Sequence, residues 1–231
     1  MSKVTWLLVD LDNTLLDFDQ SSHVALTQTF IHFGLSDLET ALNTYHRINR
    51  QCWMAFESGE IDLPTLKKRR FQLFGEIMRI DAPSEVMNRH YLQHLSQQVH
   101  EIEGARNFLQ WASPQFRLVL ATNGLAEVQN PRIKQSQIAA YFKGIVISEE
   151  IGVQKPHAAF YDHAFELMDR PSKGEVMMIG DSLSSDIRGG NDYGILTCWF
   201  DRSQKGDESL IKPHFTVNHL DQISNLGVLS R

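Results

Sequence analysis

VTWLLVDLDNTLLD (Val4–Asp17) is the stretch that decides the fold. Its opening run of β-branched, aromatic and aliphatic residues predicts a short buried strand. The strand then delivers two carboxylates, Asp10 and Asp12, with Thr14 just beyond. Acids at a strand end, followed by a loop, belong where an open α/β sheet places its chemistry. Two carboxylates this close repel each other unless a cation or a proton lies between them. The pattern suits a Mg²⁺ site in which one carboxylate attacks and the other handles protons. Asp-x-Asp also opens calcium loops, but those require glycine at the sixth position, where Leu15 stands. A plain turn with helix-capping acids is the other reading of the stretch. The pair therefore has to be read with its partners elsewhere in the chain.

Directly after the strand the pattern turns helical. Asp19 or Ser21 is a candidate cap for a helix carrying Val24, Leu26, Phe30 and Ile31, with Gly34 as its stop. Further helices are predicted from about Asp37 to Phe56, from Pro64 and from Ser84. Residues 17–97 thus read as an inserted helical-bundle cap, and 1–16 with 98–231 as the core. In the core, helices are expected over Glu103–Ala112, around Arg132–Tyr141, from about His157 to Met168, and between Ser184 and Tyr193. Strands are expected over Phe116–Asn123, Gly144–Glu149, Glu175–Asp181, Ile195–Asp201 and Phe215–Asn218. This alternation predicts an α/β fold, a Rossmann-like, doubly wound, mostly parallel sheet with helices on both faces.

Composition narrows the function. The 231 residues carry a net charge of −6, which argues against a protein that holds a nucleic-acid polymer by its electrostatic field. An acidic protein that takes an anionic substrate needs a cation to do so. The hydrophobic and charged fractions, 42% and 22%, are those of an ordinary globular chain. Cys52 and Cys198 are the two cysteines and lie far apart, so no disulfide framework is expected. The apolar run at the start is too short for a signal peptide and nothing approaches a membrane span. A cytoplasmic monomer or homodimer acting on a small molecule, without membrane contact, is the expectation.

Polar groups recur at the predicted strand ends: Asp10 and Asp12, Thr122 and Asn123, Lys155 on a loop, and Asp181 with Asp186. Every parallel strand ends on the same sheet edge, which would bring these groups together. Each has a task in phosphoryl transfer. Asp10 can form an aspartyl-phosphate, while Asp12 protonates the leaving oxygen and then activates water. Asp10, Asp181 and a backbone carbonyl can hold Mg²⁺, or Mn²⁺ in its place. Thr122 and Asn123 can donate to phosphoryl oxygens, and Lys155 can neutralise charge developing on them.

The chain resembles the haloacid dehalogenase superfamily over almost its full length. The likeness rests on DLDNTLLD (Asp10–Asp17), ATNG (Ala121–Gly124), QKP (Gln154–Pro156) and IGDSLSSDIRGG (Ile179–Gly190), in this order. It implies Asp10 as nucleophile and Asp12 as acid/base. It also implies the Asp12 carbonyl and Asp181 as further metal ligands, with Asp186 supporting them. Thr14 and Gly124 fall inside the motifs and are assigned to the phosphate, and the helical insertion corresponds to that family's type 1 cap. True dehalogenases in the superfamily typically lack the second aspartate, having no leaving alkoxide to protonate, so Asp12 favours phosphate-ester hydrolysis.

Tyr45–Ile61, Lys67–Phe74, Thr122–Ile138, Ser148–Pro156 and Asp181–Gly190 are similar to a bacterial group of pyrimidine 5′-nucleotidases. Members hydrolyse nucleoside monophosphates, including dUMP and dTMP, as house-cleaning enzymes. A nucleobase wants an aromatic or apolar slot, which Phe18, Trp53 and Phe56 could offer; the plainer role for each is packing between helices. The basic run Lys67–Arg70 reads as a solvated helix face, and His90 and His94 as ordinary surface histidines. The competing readings are a phosphosugar or phosphoglycolate phosphatase, a phosphomutase, and a non-catalytic binding protein on the same core.

Overall fold

Among the described residues, six strands form one sheet: β1 (Trp6–Val9), β2 (Arg117–Thr122), β3 (Gly144–Ile147), β4 (Val176–Gly180), β5 (Leu196–Phe200) and β6 (Phe215–Val217). The structure is a computed structural model that describes residues 3–204 and 210–229. The strand order is β3-β2-β1-β4-β5-β6 and every pairing is parallel. Successive side chains in a strand point to opposite faces. Leu7, Val9, Leu118, Leu120, Met177 and Ile179 accordingly join one core with Phe108 and Leu109 of α5 (Ala105–Ala112). Leu8, Val119, Ala121 and Met178 join another with Phe160, Tyr161 and Phe165 of α8 (Ala158–Leu167). Burial on both faces is why these strands read as nearly unbroken apolar runs.

The strand order reverses between β1 and β4, the switch point where such sheets bind their ligands. Asp10 follows β1 and Asp181 follows β4, so the first and last acidic motifs become neighbours there. The Asp10 N–H donates to the Ile179 carbonyl at 2.9 Å, extending the ladder into the loop.

The chain divides into two compact units, residues up to Phe18 with those from Val99 onward, and Asp19–Gln98. Where the insertion leaves and returns, the first unit is stitched by its own backbone. The Asp17 N–H donates to His100 O at 2.7 Å and the Ile102 N–H to Leu15 O at 2.9 Å.

The helix α1 (Phe18–His32) begins earlier than Asp19 or Ser21 would cap it. Asn13, at φ +59°, turns its Oδ1 to accept the Phe18 N–H at 3.0 Å. Asparagine is among the few side chains that enter the left-handed region readily.

The second unit continues with α2 (Leu38–Glu57), α3 (Leu63–Met78) and α4 (Ser84–Leu95). Asp37 and Asp62 cap α2 and α3 by accepting the N–H groups of Thr40 and Thr65. Phe30 stacks on Phe74 with ring centroids 4.6 Å apart, and Tyr45 packs on Phe71 at 4.9 Å. The basic run is not wholly solvated. Helical periodicity places Arg70 with Leu66, Phe71 and Phe74 on the buried face of α3, where it donates to Asn49 and Asn88. His90, expected at the surface, stacks on His32 at 4.1 Å.

The structure departs from the predicted bounds at the helix after β2 and at the end of β3. The helix expected from Arg132 is α6 (Ala126–Gln135), with a 3-10 turn over Ile138–Tyr141; Pro131 lies inside it. Its first N–H, that of Ala126, is satisfied by Glu149 Oε2 at 2.7 Å. Ser148 and Glu149 belong to the one-turn helix α7 (Ser148–Ile151), because β3 pairs with β2 only as far as Ile147. Among the described residues no helix is long and apolar enough to cross a membrane.

Candidate active site

Lys155 organises the strand ends. It is buried, and its ammonium donates to Asp10 Oδ1, Asp186 Oδ1 and the Ala121 carbonyl, each at 2.7 Å. Three protons meet three acceptors, so its donor capacity is spent. Burial alone would lower the Lys155 pKa, but the charges of Asp10 and Asp186 and their hydrogen bonds outweigh it and raise it. The main chain of Lys155 is fixed from β2. Asn123 Nδ2 donates to Lys155 O, and Asn123 Oδ1 accepts the Lys155 N–H, both at 2.9 Å. The Asn123 amide thus braces Lys155 with its oxygen and one of its two Nδ2 protons.

The other Asp10 oxygen, Oδ2, accepts from Thr14 Oγ1 at 3.1 Å. Asp186 Oδ2 accepts the Ser182 N–H at 3.1 Å. A Cβ on Gly180 would lie 2.1 Å from that same oxygen, so only glycine lets Asp186 close onto the end of β4. The Asp181 carbonyl is anchored by the indole N–H of Trp199 at 2.8 Å.

Carboxylate oxygens of Asp10, Asp181 and Asp186 gather within 4.8 Å of one another. One lysine cannot neutralise three carboxylates. Desolvation, opposed in part by Lys155, pushes Asp10 up to about 7. Desolvation, then the charges of Asp10 and Asp186, holds Asp181 well above the usual carboxylate range. A divalent cation fits this all-oxygen donor set and supplies the missing charge.

This crowding makes stability depend on pH. The folded state holds a proton on Asp10 that the unfolded chain releases near its ordinary value of 3.8. The associated stability is complete below that value and is lost as pH rises through about 7. Urea unfolding in chelator should therefore show stability falling by roughly a few kcal/mol across this window. Added Mg²⁺ should suppress the fall. A flat profile in chelator would contradict the crowding of these carboxylates.

Asp12 stands on the same loop with a different set of partners. Its Oδ1 accepts from Arg132 Nη1 at 2.6 Å and its Oδ2 from Gln129 Nε2 at 2.6 Å. Gln129 also donates to Thr122 Oγ1 at 2.8 Å, and its own Oε1 accepts from Arg132 at 2.9 Å. Thr122 Oγ1 accepts in addition from the Gly124 N–H at 3.1 Å. With both lone pairs of the hydroxyl engaged, its proton is left to donate elsewhere. Gly124 makes this possible by lacking a side chain: a Cβ there would lie 2.0 Å from Gln129 Nε2.

Asp10, Thr14, Lys155, Asp181 and Asp186 are thus brought together directly, with Asp12, Thr122 and Gly124 tied in by Gln129. Phe18 lies in the first unit with the Arg132 guanidinium 6.0 Å from its ring centre. Trp53 belongs to the second unit, where it packs edge-on against Phe56 at 5.7 Å. Sequence reasoning missed Gln129 and Arg132. Their i, i+3 spacing on one helix face was the available signal, and it was obscured by starting the helix too late.

The fold and this arrangement define a class. The chain belongs to the haloacid dehalogenase-like hydrolase family, whose model matches residues 7–200. It is 34% identical to the pyrimidine 5′-nucleotidase PynA of Streptococcus pneumoniae, over 92% of this chain and 90% of that protein. It is 29% identical to the pyrimidine 5′-nucleotidase YjjG of Escherichia coli, over 97% and 98% respectively. A crystal structure of Bacillus subtilis YfnB bound to magnesium matches it with a TM-score of 0.93 and 29% identity, covering 100% of both chains. The chain is an enzyme of the hydrolase class to which these phosphoric monoester hydrolases belong.

Proposed function

We propose that this protein is a Mg²⁺-dependent 5′-nucleotidase that hydrolyses pyrimidine nucleoside and deoxynucleoside monophosphates through an aspartyl-phosphate. One observation carries the reading: a buried carboxylate, Asp10, held by Lys155 beside two further acids, with a second, separately held carboxylate two residues on. The pyrimidine nucleotidase relatives support the substrate class.

In this reading Asp10 attacks phosphorus, and the bond to the ester oxygen breaks as Asp12 gives that oxygen its proton. Asp12, now ionised, takes a proton from water. The resulting hydroxide attacks phosphorus, the acyl-phosphate bond breaks, and inorganic phosphate leaves with Asp10 restored. Thr122 donates to a phosphoryl oxygen, and Lys155 keeps Asp10 aligned while offsetting its charge. The carboxylates of Asp10 and Asp181 and the Asp12 carbonyl would hold the cation, which when bound offsets repulsion between phosphate and carboxylate. The inserted helices, residues 17–97, would serve as the cap and set base selectivity, with Phe18 and Trp53 the aromatic candidates for the base.

Phosphate release from dUMP, dTMP, UMP and several sugar phosphates tests the reading. The pyrimidine nucleotides should lead in kcat/KM by at least about tenfold. Equal or faster turnover of sugar phosphates would transfer the assignment to them. Isomerised sugar phosphate without phosphate release would identify a mutase, and no Mg²⁺-dependent turnover at all a binding protein.

A further inference from the structure

We propose that Arg132 and Gln129 form a clamp that positions Asp12 for proton transfer to the leaving oxygen. The inference rests on the aspartyl-phosphate reading and adds to it two positioning residues on α6.

Four hydrogen bonds join these side chains to Asp12 and Thr122. Arg132 Nη1 spends its two protons on Asp12 Oδ1 and Gln129 Oε1; Gln129 Nε2 spends its two on Asp12 Oδ2 and Thr122 Oγ1. This assignment fixes the orientation of the Gln129 amide, because a flipped amide would face an oxygen with an oxygen and a donor with a donor. Each Asp12 oxygen receives one hydrogen bond here and keeps a second lone pair, where the transferable proton can reside.

Burial argues against a merely ornamental ion pair. The Arg132 side chain is 0% exposed and that of Asp12 24%. Burying a guanidinium is costly, and an apolar residue would pack α6 at lower cost. The charge is aimed at one carboxylate on a loop, which would otherwise sample several rotamers. Proton transfer to an ester oxygen demands hydrogen-bond distance, and displacement by about 1 Å can cost about a hundredfold in rate. A third tie makes the arrangement specific to the site: Gln129 links the acid to Thr122, and Gly124 is shaped around it. Asp12 and the phosphate-binding hydroxyl are thereby held by the same amide group.

A structural salt bridge would support every substrate equally, whereas a device for positioning an acid would not. Nitrophenolate leaves without a proton; an aliphatic alkoxide does not. The experiment compares wild type, Arg132→Met, Arg132→Lys and Asp12→Asn on a series of phosphate monoesters running from nitrophenyl to alkyl leaving groups. Thermal midpoints are recorded alongside. Arg132→Met should lower kcat/KM on the alkyl ester by about 10- to 100-fold and on the nitrophenyl ester by no more than about threefold. Arg132→Lys should recover part of the loss, and Asp12→Asn should show the same discrimination more strongly.

Equal losses on both esters in Arg132→Met, or no loss on either, would overturn the clamp. If Arg132→Met does not fold, Gln129→Met replaces it; its lost tie to Thr122 affects both esters alike and cancels in their ratio. An unchanged ratio there would also overturn the clamp. Discrimination in Asp12→Asn without any in the α6 variants would overturn the clamp alone. No discrimination in Asp12→Asn would overturn the acid assignment and the clamp with it.

Discussion

Asp10→Asn should reduce phosphate release by on the order of 10⁴- to 10⁶-fold, the range for removing a covalent nucleophile. The fold should survive. Asn preserves the volume at the end of β1; its Oδ1 can still accept from Lys155, and its Nδ2 can donate to the Thr14 hydroxyl in place of the bond Asp10 accepts from it. Stability should behave unusually for a buried substitution. The Asp10 carboxylate is desolvated among other acids and its pKa is pushed up to about 7, so its ionised form burdens the metal-free fold. Above about pH 7 in chelator, the neutral variant should unfold at or above the wild-type denaturant midpoint. Phosphate release and urea titrations on the same preparations check both parts. Retention of more than about a tenth of the activity would remove Asp10 from the nucleophile's role.

The second large effect is expected from Lys155→Met. This change deletes the cation between Asp10 and Asp186 and leaves the Ala121 carbonyl without its donor. Breaking a buried pair from one side typically costs about 3–5 kcal/mol, because the remaining charge is stranded. Here two carboxylates are stranded. The loss should be greatest at neutral and higher pH and should shrink as the medium is acidified and Asp10 takes up a proton. Turnover should fall by at least about a thousandfold, since Asp10 loses both its alignment and its counter-charge. Denaturation across pH separates this from a packing defect, which would cost the same at every pH. A pH-independent loss below about 1 kcal/mol would mean that Lys155 is not the electrostatic hub.

Much of this architecture was legible in the chain because the informative residues sit at the ends of buried apolar runs. Val4–Val9 and Val176–Gly180 announce strands, and a parallel sheet necessarily aligns the residues just beyond their ends. That logic collects Asp10, Lys155, Asp181 and Asp186. It could not deliver contacts made across helix surfaces. Arg132 and Asp12 are far apart in sequence, and a polar helix such as AEVQNPRIKQ gives little hint of which face is buried. The bracing role of Asn123 was hidden for a related reason: residue type shows what an amide can donate, but not that a neighbouring backbone will engage its oxygen and one of its N–H groups. Arg70 illustrates the limit of reading charge runs, since a buried helical stripe can cut through one of them.

The hydrogen bonds from Asp17 to His100 and from Ile102 to Leu15 have a consequence for how such an enzyme diversifies. Some eighty residues leave the first unit after Phe18 and rejoin it at Val99, between chain segments that this first unit ties together by its own backbone. Natural selection can therefore rewrite the inserted passage, lengthen it or exchange it wholesale, while the chemistry encoded on either side is inherited untouched.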